Sequence, residues 1–229
     1  MLILFDVDAT LLLTHGAGVR AMQRAGQRLY GSFELEGVQF AGGLDSIIFE
    51  DLAKANGIES NPKELQRFHD CYHEELLRGF ANGDTSEALP GVKALLARLS
   101  GLQGLTLGLL TGNFELTGKL KIVKAGIDLS LFEFGVWAMD GATRNDLPPV
   151  AMRRYRQLRG EPIEPGRVVI IGDTKRDVNC AAHNGCRCLG VATGPFSVED
   201  LLAEGAEAAF EDLSDTGAVV ERILQPTPA

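Results

Sequence analysis

Two aspartates stand two residues apart directly after an apolar run, where Leu2-Ile3-Leu4-Phe5 leads into Asp6-Val7-Asp8-Ala9-Thr10. A second apolar run ends in Thr111-Gly112-Asn113, and a later one in Gly172-Asp173-Thr174-Lys175-Arg176-Asp177. Four carboxylates gathered at strand ends cannot all stay ionised without compensation. A hard divalent cation with oxygen ligands is the simplest compensation. Asp6, Asp8, Asp173 and Asp177 are therefore expected to hold Mg2+, which in turn attracts phosphate. One oxygen of Asp6 is then left to attack phosphorus in line, giving an aspartyl-phosphate. Asp8 points away from Asp6 in extended backbone, but a turn at Ala9-Thr10 swings it over the leaving group. It is placed there to act as general acid and later as the base for water.

The other phosphoryl oxygens need donors. The hydroxyl of Thr111 and the amides of Gly112 and Asn113, read as opening the next helix, suit that part, and Thr10 is grouped with these phosphate contacts. One fixed cation is also required, because phosphoryl transfer is mostly positioning and charge stabilisation. Arg144, just ahead of Pro148-Pro149, is the candidate. Lys175 and Arg176 are less well placed, since their loop also carries a metal ligand. His15 and Arg20, shortly after the first motif, are candidate substrate contacts.

Loops converge on one crevice when they leave the carboxyl ends of an open parallel sheet. The sequence supplies such strands as short apolar runs at 2–5, 105–110, 134–139, 168–171 and 188–192, each suited to burial on both faces. Helix-period segments at 92–99, 116–125, 150–158 and 177–184 alternate with them, which predicts an α/β, doubly wound parallel sheet. The interval 15–88 breaks the alternation. It shows three helical stretches separated by Gly31, Gly42-Gly43 and Gly57, the last begun by Asn61-Pro62, before Pro90-Gly91 marks the return. The expected organisation is a core of residues 1–14 and 87–229 with a helical cap of 15–86. The tail from Gln225, with its two prolines, is expected to fray.

A formal net charge of −9 argues against nucleic acid or anionic membrane as partner and would also repel a phosphorylated ligand, so any phosphate site must be built locally. No apolar run approaches the roughly 18–20 residues of a membrane span, and nothing resembles a secretory leader. The four cysteines then read as reduced thiols of a cytoplasmic protein, and a monomer or homodimer is expected. His69, Cys71 and His73 read as an amphipathic helix with surface histidines, and Cys180, Cys186 and Cys188 as buried structural thiols.

The motifs together resemble the haloacid dehalogenase superfamily over residues 1–177. Asp-x-Asp-x-Thr matches at Asp6, Asp8 and Thr10, the strand-terminal Thr at Thr111, and Gly-Asp-x-x-x-Asp at Gly172, Asp173 and Asp177. The family's usual Lys is matched by Arg144, which keeps the charge and exchanges a point donor for a planar fork. Ala9 replaces the usual Gly, which is tolerable only at ordinary negative φ. A carboxylate at Asp8 implies a phosphatase or phosphomutase, because dehalogenase and phosphonatase members lack it. The insertion resembles the helical cap of phosphoglycolate phosphatases and β-phosphoglucomutases. Relatives often carry a basic residue and Thr before an Asp, where this chain has Gly43-Leu44-Asp45. The resemblance thus implies Mg2+-dependent hydrolysis of a small phosphomonoester, with phosphoglycolate, sugar phosphates and nucleoside monophosphates all open. A phosphomutase and a catalytically silent phospho-ligand binder are the alternatives.

Overall fold

The computed structural model describes residues 1–225; the expectation for the tail beyond Gln225 lies outside them. Eight strands form among these residues: β1 (Leu2–Phe5), β2 (Leu12–Leu13), β3 (Glu87–Ala88), β4 (Thr106–Leu110), β5 (Phe134–Val136), β6 (Val168–Gly172), β7 (Arg187–Val191) and β8 (Ala208–Phe210). They alternate, outside the β2–β3 interval, with nine helices: α1 (Ala17–Tyr30), α2 (Asp45–Ala55), α3 (Pro62–Ala81), α4 (Val92–Ser100), α5 (Glu115–Lys124), α6 (Leu147–Arg159), α7 (Lys175–His183), α8 (Val198–Glu204) and α9 (Thr216–Leu224). Six strands make one parallel sheet in the order β5-β4-β1-β6-β7-β8.

Strands β1, β4, β6 and β7 are buried along their whole length, as their unbroken apolar runs require in a sheet covered on both faces. Alternate residues serve opposite layers: Leu2, Leu4 and Ile170 join one apolar cluster, Ile3, Phe5 and Ile171 the other. The chain winds from β1 out through β4 to β5, then crosses to β6 on the opposite side of β1. Winding therefore reverses at β1, and the carboxyl ends of β4, β1 and β6 flank the crevice where ligands of such sheets bind.

Two sequence expectations are corrected. The run 134–139 is a strand only to Val136, because the Asp140 carboxylate accepts the Trp137 amide at 2.9 Å and curls 138–140 into a 3-10 turn. Strand β8 was not anticipated; Ala-Ala-Phe is too short and small to stand out as an apolar run.

Strands β2 and β3 pair antiparallel, Leu12 with Ala88 and Leu13 with Glu87. Everything between them hangs from this ladder, and it carries α1–α3 and no strand of the main sheet. Asn61 caps α3 by accepting the amides of Lys63 and Glu64 at 3.1 and 3.0 Å, with Pro62 at the first helical position. The three helices enclose aromatic side chains, Phe49 lying 4.8 Å from Phe68 between ring centres. All four cysteines are free thiols, with Cys71, Cys180 and Cys188 buried. Among the described residues no helix is long and apolar enough to cross a membrane.

Candidate active site

Asp6 follows β1 directly, and its amide donates to the Ile171 carbonyl at 2.9 Å. Pairing thus runs one residue past the strand, fixing the backbone that carries the side chain. Asp173 follows β6 in the same way. Asp177 lies in the first turn of α7, where its Oδ2 accepts the Thr174 amide and hydroxyl at 3.1 and 2.6 Å in a capping box. One oxygen from each of Asp6, Asp173 and Asp177 falls within 4.8 Å of the others, and all three residues are buried.

Arg144, in a 3-10 turn at 144–146, is the cation facing this cluster. It donates to Asp177, stands 3.3 Å from Asp6 Oδ2, and reaches the Gly42 carbonyl at 3.2 Å. Its buried Nε finds no acceptor among the described residues. Burial raises the pKa of Asp6 and Asp173 above the ordinary carboxylate value; Arg144 opposes the rise and the neighbouring carboxylates add to it. If all three ionise, three carboxylates against one guanidinium leave two negative charges uncompensated, a repulsion that joins burial in raising these values. The donor set, all oxygen, therefore fits a hard divalent cation. Asp177 is engaged through both oxygens, which leaves Asp6 and Asp173 as the carboxylates with most capacity for an ion. Thr10 is buried and donates to Asp173 Oδ1 at 3.2 Å, so it orients a carboxylate rather than reaching the cavity.

Asp8 does not join this cluster. Its two oxygens accept Lys121 Nζ at 3.0 and 2.8 Å, and Oδ2 also accepts Asn113 Nδ2 at 2.8 Å. Lys121 continues to Asn113 Oδ1 at 2.6 Å, and Asn113 to Thr111 Oγ1 at 2.8 Å. This network locks the Asp8 carboxylate from the core side, while its side chain remains 42% exposed. Burial opposes the charge of Lys121, but Asp8, then Tyr72 and Asp45, more than offset it and hold the ammonium above its ordinary pKa.

Asp45, opening α2, binds the same region from the inserted segment. Its amide donates to the Gly112 carbonyl at 2.7 Å and its Oδ2 accepts the Phe114 amide at 2.8 Å. The approach is so close that a Cβ on Gly112 would sit 1.8 Å from the Gly43 carbonyl oxygen, so only glycine fits there. Tyr72 of α3 is fully buried beside it. Asp6, Asp8, Asp45, Tyr72, Lys121 and Arg144 all face one cavity of about 220 Å³.

Thr111, Gly112 and Asn113, expected as phosphate contacts, also line that cavity, but they do not open the helix. α5 starts at Glu115, and Asp45 occupies the amide just before it. His15 and Arg20 are placed elsewhere. Arg20 donates to the His15 carbonyl at 2.7 Å and to Asp84 at 2.6 Å, and His15 lies 3.8 Å from Glu87. Both tie together the two segments leaving β2 and entering β3, because carboxylates at 84 and 87 draw them there. Ala9 adopts φ +56°, not the ordinary negative φ expected; the Ala9 carbonyl accepts the Thr193 hydroxyl, which holds the turn. A left-handed alanine costs about 1–2 kcal/mol. Lys121, Asp45 and Tyr72 were missed from sequence.

A family model described as haloacid dehalogenase-like hydrolase matches residues 3–191. No curated protein matches the sequence. Solved structures share the fold. A hydrolase from Pseudomonas syringae is 20% identical, covering 97% of this chain and 99% of its own, with a TM-score of 0.70. A protein described as a predicted phosphoglycolate phosphatase from Haemophilus somnus is 20% identical over 96% and 97%, with a TM-score of 0.68. A CbbY variant from Rhodobacter sphaeroides, in complex with xylulose-(1,5)bisphosphate, is 18% identical over 93% and 95%, with a TM-score of 0.73.

Proposed function

Because the chain belongs to the haloacid dehalogenase-like hydrolase family, we propose that it is a Mg2+-dependent phosphatase of a small phosphomonoester. Asp6 is the nucleophile, and residues 15–86 act as a cap over a core formed by 1–14 and 87–229. The observation that carries the reading is the separation of two carboxylates across one cavity. Asp6 sits in the uncompensated cluster, whereas Asp8 is held apart by Lys121 and Asn113.

Mg2+ held by Asp6 and Asp173 would offset the charge of a phosphoryl oxygen. Asp6 forms the new O–P bond while the bond from phosphorus to the leaving oxygen breaks. Asp8 delivers a proton to that oxygen, then takes one from the water that releases inorganic phosphate. Arg144 secures Asp177 and Asp6 in place and supplies the positive charge that the phosphoryl group meets. Thr111, Gly112 and Asn113 offer a hydroxyl and two amides to its other oxygens. Fixing Asp8 at both oxygens keeps the acid in one position for both half-reactions, the kind of pre-positioning from which much of an enzyme's rate advantage comes.

Release of inorganic phosphate from a panel of small phosphomonoesters tests the reading. Turnover should require Mg2+, stop with chelator, and fall at least about 1,000-fold in Asp6→Asn. Isomerisation of a sugar phosphate without net phosphate release would replace hydrolysis by mutase chemistry on the same nucleophile.

A further inference from the structure

Two fold neighbours are named for phosphate esters whose leaving group carries a second anion, phosphoglycolate in one and xylulose-(1,5)bisphosphate in the other. The cavity of this chain contains groups that bear on whether a second anion fits. Tyr72 is fully buried, and its hydroxyl makes no hydrogen bond among the described residues. The nearby Thr117 hydroxyl favours the ionised phenol, but it donates its own proton to the Phe114 carbonyl at 3.1 Å and lies outside hydrogen-bond geometry with the Tyr72 hydroxyl. A buried hydroxyl without a partner is costly, and native chains keep one chiefly where a ligand or water completes it. Asp45 is equally enclosed, with its Oδ2 on the Phe114 amide, and faces the same cavity.

The cations facing this cavity are already engaged. Lys121 is taken up by Asp8 and Asn113, and Arg144 by Asp177, Asp6 and Gly42. Above its raised pKa the Asp45 carboxylate would repel a second anionic group on the ligand, and no cation lining the cavity among the described residues is left to receive it. Ligand hydroxyls, by contrast, can accept from Tyr72 and donate to Asp45. Val19, Met22 and Ile48 supply an apolar wall for the carbon chain, and a volume of about 220 Å³ lies below the roughly 300–1,000 Å³ of ordinary ligand pockets.

Resting on the phosphatase reading, we propose that Tyr72 and Asp45 form a leaving-group subsite that selects a small, uncharged, hydroxyl-bearing chain. The substrate class is then a short polyol or sugar monophosphate, and a leaving group bearing a carboxylate, as in phosphoglycolate, is rejected.

Calorimetric titration of the Asp6→Asn protein in Mg2+ at pH 8, above the raised Asp45 pKa, with sn-glycerol 3-phosphate and with 2-phosphoglycolate reads the selection without requiring turnover. The polyol phosphate should bind at least about tenfold more tightly. Tyr72→Phe should weaken the polyol phosphate about five- to tenfold and leave phosphoglycolate unchanged, and Asp45→Asn should narrow the gap by improving phosphoglycolate. Equal or tighter binding of phosphoglycolate, no measurable binding of either, or variants that shift both ligands alike would overturn the subsite. Phosphate release by the wild type is scored separately. Selective binding without release keeps the subsite and sinks hydrolysis, whereas release without selectivity does the reverse.

Discussion

At the ends of β1 and β6, three buried carboxylates face one guanidinium; beside α5, two carboxylates face one ammonium that reaches Asp8 through both its oxygens. The first group is built on two strand ends and the first turn of α7, and when ionised is left with two negative charges to spare. The second joins the loop after β1 to α5 and α2 and is left with at most one. One half of the cavity is therefore short of positive charge, while the other is already folded around its own counter-charge. On the proposed mechanism, electrostatic repulsion is thus concentrated on the side assigned to the metal and the phosphoryl group, and reduced on the side assigned to the acid.

Removing each cation in turn breaks this contrast. Arg144→Met strips from the carboxylate cluster the only cation paired with it among the described residues and should cost about 3–5 kcal/mol in urea unfolding with chelator present. Added Mg2+ should recover more of that loss than it adds to the wild type; equal Mg2+ effects on both proteins would show that the cluster does not hold the cation. Lys121→Met should cost less, about 2 kcal/mol, because Asp8 is 42% exposed and regains water. Its unfolding midpoint should show no extra Mg2+ dependence, and phosphate release should fall by about 100-fold as Asp8 loses its anchor. A variant with full activity would remove Lys121 from the positioning of the acid.

The smallest effect concerns pH. Burial pushes Asp45 from 3.8 up to about 7, with Lys121 and the Phe114 amide pulling down and Asp8 pushing up; Tyr72, the remaining titratable neighbour, is itself raised by burial and stays a neutral phenol. Between those two pH values the folded chain keeps a proton that the unfolded chain has released, so this group makes stability fall as pH rises through the window. Asp45→Asn preserves an acceptor for the Phe114 amide and should flatten the decline by on the order of 2 kcal/mol between pH 4 and pH 8. Parallel pH–stability curves for the variant and the wild type would contradict it.

The strand-end half was legible because its information is local. An unbroken apolar run followed by Asp6, Thr111 or Asp173 states both the strand and the residue at its end, and a parallel sheet then brings those ends together whatever the loops do. Even Arg144, separated from them in sequence, could be placed by its position before Pro148-Pro149. The helical half was not legible. In α5 the apolar Leu116 and Val123 are 47% and 55% exposed, whereas Thr117 and Lys121 are buried. The hydrophobic pattern points outward on that face, so Lys119, Lys121 and Lys124 look alike until the packing of α3 is known. Asp45 and Tyr72 depend on how the inserted segment docks, a long-range arrangement that no spacing in the chain encodes. His15 and Arg20 were drawn toward the cavity by closeness in sequence to Asp8, and carboxylates some seventy residues later claimed them instead.

The two-rung ladder of β2 and β3 bears on how such a molecule can change. Since Leu12 faces Ala88 and Leu13 faces Glu87, the departing and returning chains are neighbours about 5 Å apart. To the parallel sheet, the whole segment between them is one overgrown hairpin loop. A lineage or a designer can lengthen, shorten or exchange that loop without moving a single register in β1, β4 or β6. The chemistry would be inherited unaltered while the choice of molecule it acts upon is rewritten by transplanting one contiguous stretch of sequence.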